Sequence, residues 1–340
     1  MKITLSFQFH DLPLEHPFTI SRYTVNIQKT VVVCISDGTH SGYGEATANP
    51  YYHSTQERLT TSLLKLKPIV EANPAMHPQM LWEQLAPFVP DDYFALCAVD
   101  IAYWDFYARK HHKTLRSYWS GDHAKTPLTS YTIGIDALEV MKQKILEKPW
   151  PIYKIKLGTP DDIHIVRSLR EITDAVFRID ANCAWTAERT IEYSKILKEL
   201  NVEFIEQPLK AEDIEGMKKV KAQSVLPVIA DESCQREENV ESCSRLFHGI
   251  NIKLMKCGGI TPALRMIENA RAKGLLLMAG CMTESTVGIS GLCQIAPLLD
   301  YLDADGALLL HQDIADGVHF DFGKIVYQNT SGTGVRIHGK

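Results

Sequence analysis

The sequence predicts an α/β fold, a TIM-like parallel (β/α) barrel preceded by an α+β segment. Two observations carry this. From about residue 127, eight short apolar runs alternate with helical patterns, the order of a parallel barrel. The other arrangement with that order, an open doubly wound sheet, lacks its Gly-rich nucleotide turn here.

Taken in order, "KITLSFQFH" and "TVVVCISD" are strand-like, and "HSGYGEATA" resumes after a turn at Asp37-Gly38. Helical patterns follow in "STQERLTTSLLKLKPIVEA" and "DDYFALCAVDIAYWDFYARKHH". In the second, Ala95, Ala98, Val99, Ala102 and Phe106 recur at the spacing of a buried helix. "RSYWSGDHAKTPL" reads as a connection. The eight barrel runs are "SYTIGI", "IYKIKLG", "VFRIDAN", "VEFIEQP", "PVIADES", "GINIKLMK", "LLLMAGCM" and "YLDADGALLL". Helical segments such as "TAERTIEYSKILKEL", "IEGMKKVKA" and "TPALRMIENARAKG" lie between them. The expected division is an α+β domain over 1–120 and a barrel over 121–315.

A chain of 340 residues suits one large domain with a smaller companion. Its net charge of −5 and the lack of a Lys/Arg-rich block argue against nucleic acid. The start alternates like a strand rather than a signal peptide, and no run reaches a membrane span, so a cytoplasmic protein is expected. The eight cysteines are scattered without a C-x-x-C pair, which disfavours zinc and disulfides. Phosphate-cradle and nucleophile-elbow signatures are absent.

The chemistry is expected at the strand ends. Lys156, Asp180, Glu206, Asp231 and Lys253 follow one another at intervals of 22 to 26 residues. That is one βα unit each, so they occupy equivalent positions at the C-terminal mouth, where barrel active sites sit. Asp180, Glu206 and Asp231 would converge, and three carboxylates repel unless a cation joins them. A hard divalent ion such as Mg²⁺ suits oxygen ligands of this kind. The competing reading, an acid paired with a base at each position, explains any one residue but not the period.

"IYKIKLG" raises its own question. Strand alternation sends Tyr153, Ile155 and Leu157 to one face and Lys154 and Lys156 to the other. An exposed edge strand would explain two lysines, but the acids that follow place them toward the barrel mouth. Lys156 and Lys253 then flank the acids, an arrangement suited to removing a proton next to a substrate carboxylate and returning it on the other face. Lys156 is read as the base and Lys154 as the charge that lowers its pKa.

These residues together resemble the enolase superfamily, in its muconate-lactonizing-enzyme subgroup, and within it the dipeptide epimerases. The resemblance rests on Lys154-Ile155-Lys156, "RIDAN" with Asp180, "IEQP" with Glu206, "ADES" with Asp231 and "NIKLMKCGG" with Lys253. It implies a modified (β/α)7β barrel, with an N-terminal capping domain completed by residues 316–340. It also implies Mg²⁺ on Asp180, Glu206 and Asp231 rather than Glu232, and Lys253 rather than Lys256 as the second acid/base. A homo-oligomer is expected.

Dipeptide epimerases carry an acidic D-x-D at the eighth strand end, here Asp303-Ala304-Asp305. Two carboxylates can receive the free α-ammonium of a dipeptide. The loop "PFTISRYT" is expected to cover the substrate, with Arg22 or Tyr23 near its side chain; the arginine of Glu-specific members aligns with Tyr23. Cys183 in "DANCAW" stands where the family often has glutamine. The resemblance implies 1,1-proton transfer on L-Ala-Xaa, with L-Ala-D-Glu from murein peptides as the leading substrate. O-succinylbenzoate synthase and N-acylamino-acid racemase share the lysines and acids but not the need for Asp303 and Asp305. A muconate-type cycloisomerase lacks that need too, and a barrel that only binds a small acid has no use for the lysines.

Overall fold

The computed structural model describes residues 2–19, 24–120 and 125–339. Arg22 and Tyr23 lie outside the described residues.

Three antiparallel strands open the chain: β1 (Thr4–Thr19), β2 (Thr24–Ser36) and β3 (Ser41–Thr47), in spatial order β1-β2-β3. Leu5, Val31, Val33 and Ile35 turn one face of this sheet into core. Helix α1 (Gln56–Ala72) starts at Thr55, whose hydroxyl accepts from Arg58 N, and buries Leu59, Leu63, Leu66 and Val70 on one stripe. A short α2 (Pro78–Leu85), which the sequence reading passed over, precedes α3 (Tyr93–Lys110). Helix α3 is buried almost all round, Ala95, Ala98, Val99, Ala102 and Phe106 included. Its small side chains let β3 lie directly on its backbone. A Cβ at Gly42 would stand 2.1 Å from Phe106 N, and one at Gly44 would stand 2.1 Å from Ala98 O.

The barrel follows. Strands β4 (Tyr131–Ile133), β5 (Ile152–Lys156), β6 (Val176–Asp180) and β7 (Val202–Glu206) form its first half. Strands β8 (Val228–Ala230), β9 (Gly249–Ile252), β10 (Leu276–Gly280) and β11 (Tyr301–Asp303) form its second. All pair in parallel and in chain order, and a parallel bridge between Thr129 and Leu302 brings the first and last together. Each predicted apolar run is one of these strands. Between them run α4 (Leu138–Glu147), α5 (Asp162–Arg170), α6 (Ala187–Glu199), α7 (Ile214–Gln223) and α8 (Asn239–Leu246). The short α9 (Leu254–Cys257), then α10 (Ile260–Ala272) and α11 (Thr286–Cys293), complete the set.

The two parts are joined by specific contacts. Buried Glu45 on β3 accepts from the backbone N–H groups of Ser285 and Gly288 at the start of α11, at 3.0 and 2.9 Å. The C-terminal segment returns to α3 and the turn that follows it: Thr333 N donates to Asp105 at 2.7 Å, and Leu115 N to Gly332 O at 2.9 Å.

Candidate active site

Register places the site. Lys156 pairs with Asp180 across β5 and β6, and Asp180 with Glu206 across β6 and β7, so three strand ends deliver their side chains at one level. Asp231 and Lys253 stand one residue beyond β8 and β9, and Asp303 closes β11. Asp180, Glu206 and Asp231 are all buried, and one oxygen from each lies within 4.8 Å of the others.

The lysines surround them. Lys154, 1% exposed, reaches Glu206 Oε2 at 2.8 Å, Asp180 Oδ2 at 3.1 Å and Asp303 Oδ2 at 2.7 Å. Lys156 reaches the same Asp180 Oδ2 at 2.6 Å. Lys253 contacts Asp231 Oδ2 at 2.9 Å, and Lys256 contacts Asp231 Oδ1 at 2.6 Å. Both lysines of β5 therefore face inward, as alternation predicted. Lys256 also donates to the carbonyls of Asp231 and Cys234 and is absent from the cavity lining, whereas Lys253 lines it. This separates two lysines that the sequence could not.

Electrostatics divide the acids. Burial would raise Asp180, but the Lys156 and Lys154 ammonium groups hold it down at about 2. Asp231 is likewise held below the usual carboxylate range, by Lys253 and Lys256 against the cost of burial. Burial pushes Glu206 up to about 7, with the Asp180 charge adding to it and Lys154 opposing. Two lysines of the cluster are raised. Burial does lower the Lys253 amine, but Asp231 and Glu206 outweigh it and carry it above the ordinary lysine range. For Lys154 the same contest is won by Asp303, Glu206 and Asp180. Carboxylates whose charge is not shared with a cation hold protons on the amines beside them.

Glu206 Oε2 is buried and accepts no hydrogen bond, although Lys154 lies beside it. An unsatisfied carboxylate oxygen within a cluster of hard oxygen donors is what a divalent cation requires, so the residues fit Mg²⁺. Two neighbours steady the ligands. Gln207 adopts a positive φ of 33° and its carboxamide oxygen accepts from Asp231 N and Ser233 N at 2.9 and 3.0 Å. Asn251 Nδ2 donates to Glu206 Oε1 at 2.7 Å. Neither was singled out from the sequence. For Asn251 a signal existed, since it stands two residues before Lys253 on the same strand face, as Lys154 does before Lys156.

The D-x-D pair is placed at the mouth, and its members differ. Asp303 is engaged on both oxygens, by Lys154 and by Ser130 Oγ at 2.8 Å, and Lys154 holds its pKa down against burial. Asp305 Oδ2 accepts from Thr132 N at 2.5 Å, while its Oδ1 has the Cys281 thiol at 3.9 Å. Burial, with the Asp303 charge adding to it, raises Asp305 to about 7. Both acids line one cavity with Lys154, Lys156, Asp231 and Lys253. The cap supplies the opposite wall through Phe18, Val25, Gln28, Asn49, Tyr51 and Tyr52. Cys183, at a φ of 67°, lines a separate groove with Trp185 and Lys210 rather than this cavity.

A cap set over a parallel barrel, with acids on three successive strand ends between two lysines, defines a class that the family comparison identifies. The chain belongs to the mandelate racemase / muconate lactonizing enzyme family. Residues 3–117 match its N-terminal domain, and residues 136–340 match the enolase C-terminal domain-like family. Within it, the chain is 52% identical over 328 residues to an L-Ala-D/L-amino acid epimerase of Flavobacterium johnsoniae, covering 96% of this chain and 98% of that one. It is 36% identical over 337 residues to an L-Ala-D/L-Glu epimerase of Bacteroides thetaiotaomicron, covering 98% and 88%. Among solved structures it superposes on a dipeptide epimerase of Cytophaga hutchinsonii, complexed with Mg and D-Ala-L-Val. The TM-score is 0.93 at 25% identity, covering 100% of this chain and 97% of that one.

Proposed function

We propose that this protein is a Mg²⁺-dependent dipeptide epimerase that inverts the α-carbon of the C-terminal residue of L-Ala-Xaa. The observation that carries the reading is the placement of Lys156 and Lys253. One stands on Asp180 and the other on Asp231, and both line the same cavity. Asp180, Glu206 and Asp231 would hold the cation, which supplies positive charge against the negative charge that develops on the substrate carboxylate. Lys156 removes the α-proton from one face and Lys253 delivers a proton to the other; the roles exchange for the opposite isomer. Lys154 adds fixed positive charge beside both Asp180 and Glu206. Asp305, with Asp303 beside it, receives the dipeptide's α-ammonium. Arg22 and Tyr23 are assigned to the side-chain end of the substrate.

The leading substrate is L-Ala-D-Glu, converted to L-Ala-L-Glu in murein peptide breakdown, and the protein is read as a cytoplasmic homo-oligomer. Residues 1–120 with 316–340 are read as the cap, and 121–315 as the catalytic barrel. Among the described residues no helix is long and apolar enough to cross a membrane.

The deciding experiment is proton NMR in D₂O with Mg²⁺ and a set of L-Ala-Xaa dipeptides. Loss of the Xaa α-proton signal, with appearance of the diastereomer, is the expected result. Silence on every dipeptide, with turnover of an N-succinyl amino acid or a cyclohexadiene, would move the assignment to a racemase or synthase on the same scaffold.

A further inference from the structure

We propose that Asn251 is a positioning residue for the cation site, and that Gly280 exists as glycine to make room for it. The inference rests on the reading of Asp180, Glu206 and Asp231 as a Mg²⁺ site.

Asn251 lies on β9, fully buried, with its side chain turned into the barrel. Its amide Nδ2 donates to Glu206 Oε1 at 2.7 Å, while its Oδ1 is buried without a hydrogen-bond partner among the described residues. The amide orientation follows from chemistry: its oxygen turned toward a carboxylate would repel, so the nitrogen faces Glu206. A buried amide oxygen left unsatisfied costs free energy, so the side chain is held here by the one bond it makes. That bond engages Oε1 and leaves Oε2 free of hydrogen bonds, on the side where Lys154 and the other two acids gather. Asn251 thereby sets which Glu206 oxygen is presented to a cation and in what direction.

The adjacent strand makes this possible. Gly280 ends β10, and a Cβ built there would stand 2.8 Å from both Nδ2 and Oδ1 of Asn251. Real Cβ atoms do not approach that closely, so any side chain at 280 would push the amide off Glu206. The two residues act as one device, a bare strand end on β10 and an amide on β9 aimed across the barrel at β7.

Partners that orient metal ligands are typically worth about 10- to 100-fold in metal affinity. Mg²⁺ titration by calorimetry on the unaltered chain, N251L, G280A and the double variant tests the inference, with circular dichroism to establish folding. Both single variants should bind Mg²⁺ about 10- to 100-fold more weakly. The double variant should be no weaker than N251L, because Gly280 acts only through Asn251. The Mg²⁺ concentration for half-maximal α-proton exchange should rise by the same factor, while kcat at saturating Mg²⁺ recovers. If the N251L chain does not fold, N251S, whose hydroxyl is too short to reach Glu206, replaces it. Unchanged affinity in the Asn251 variant, or additive losses in the double, overturns the inference with the cation site intact. An unaltered chain that binds no Mg²⁺ overturns the cation reading, and this inference with it.

Discussion

Lys253 and Lys256 divide one carboxylate between them: Lys253 takes Asp231 Oδ2 from the cavity, and Lys256 takes Oδ1 from behind. The two lysines three residues apart therefore have different work. Lys256 is a buried counter-charge, and Lys253 faces the cavity.

Loss of either cavity lysine should remove epimerisation. K156A and K253A are each expected to lose about 10²- to 10⁴-fold in kcat, the usual contribution of a positioned acid or base. Each should exchange the α-proton of only one diastereomer in D₂O. K256M is expected to act on stability, at about 3–5 kcal/mol for breaking a buried pair, and to retain turnover per folded molecule within about tenfold of the unaltered chain. Full activity in K156A or K253A would sink the two-base mechanism.

Ammonium recognition should fall on Asp305 more cleanly than on Asp303. D305N removes a charge-assisted hydrogen bond to the substrate and should raise KM for L-Ala-Xaa about 10- to 100-fold. D303N also frees Lys154 from one of its three carboxylates, so kcat should fall together with KM rising. Steady-state kinetics separate the two patterns. A D305N enzyme with unaltered KM would remove the ammonium site from this pair.

Chelation should act on both stability and activity. The three acids are buried at the base of the cavity, and a cation that binds only the folded state stabilises it by mass action. Mg²⁺ at a hundred times its Kd is expected to add about 2.7 kcal/mol to unfolding free energy, with EDTA reversing the gain and ending α-proton exchange. Denaturant titrations with and without Mg²⁺ measure it. Coincident curves would mean that the ion does not bind.

Asp100 offers a pH test away from the site. It is buried on α3, accepts from Thr261 N and Oγ1 at 2.9 and 2.7 Å, and burial pushes it up to about 7. A carboxyl raised in the folded state holds its proton there between pH 4 and 7 while the unfolded chain loses its own, so stability falls as pH rises through that window. D100N removes this ionisation. The stability difference between D100N and the unaltered chain should move in favour of D100N from pH 4.5 to 7. Parallel stability curves would show that Asp100 does not titrate in that range.

The barrel was legible because its strands are short apolar runs bounded by turn residues, and each of the eight runs is a strand. The acids and lysines were legible because one βα unit sets their spacing. The helix at Pro78–Leu85 was not, being two turns long with three buried side chains. Nor did the sequence reveal that Asp303 is tied to Ser130 and Lys154, since those partners stand 173 and 149 residues away. Nor could the sequence show that Asp303 joins Glu206 and Asp180 in raising the Lys154 amine, since that contact closes only when β11 meets β5.

Lys156 ends β5 and Lys253 follows β9, while Phe18, Val25, Tyr51 and Tyr52 reach the cavity from a separate sheet and its following turn. Part of the cavity wall is thus encoded in a stretch of chain remote from the lysines. Under the proposed function, a directed-evolution library confined to those four cap positions is expected to change which dipeptides are accepted while leaving Lys156 and Lys253 in place.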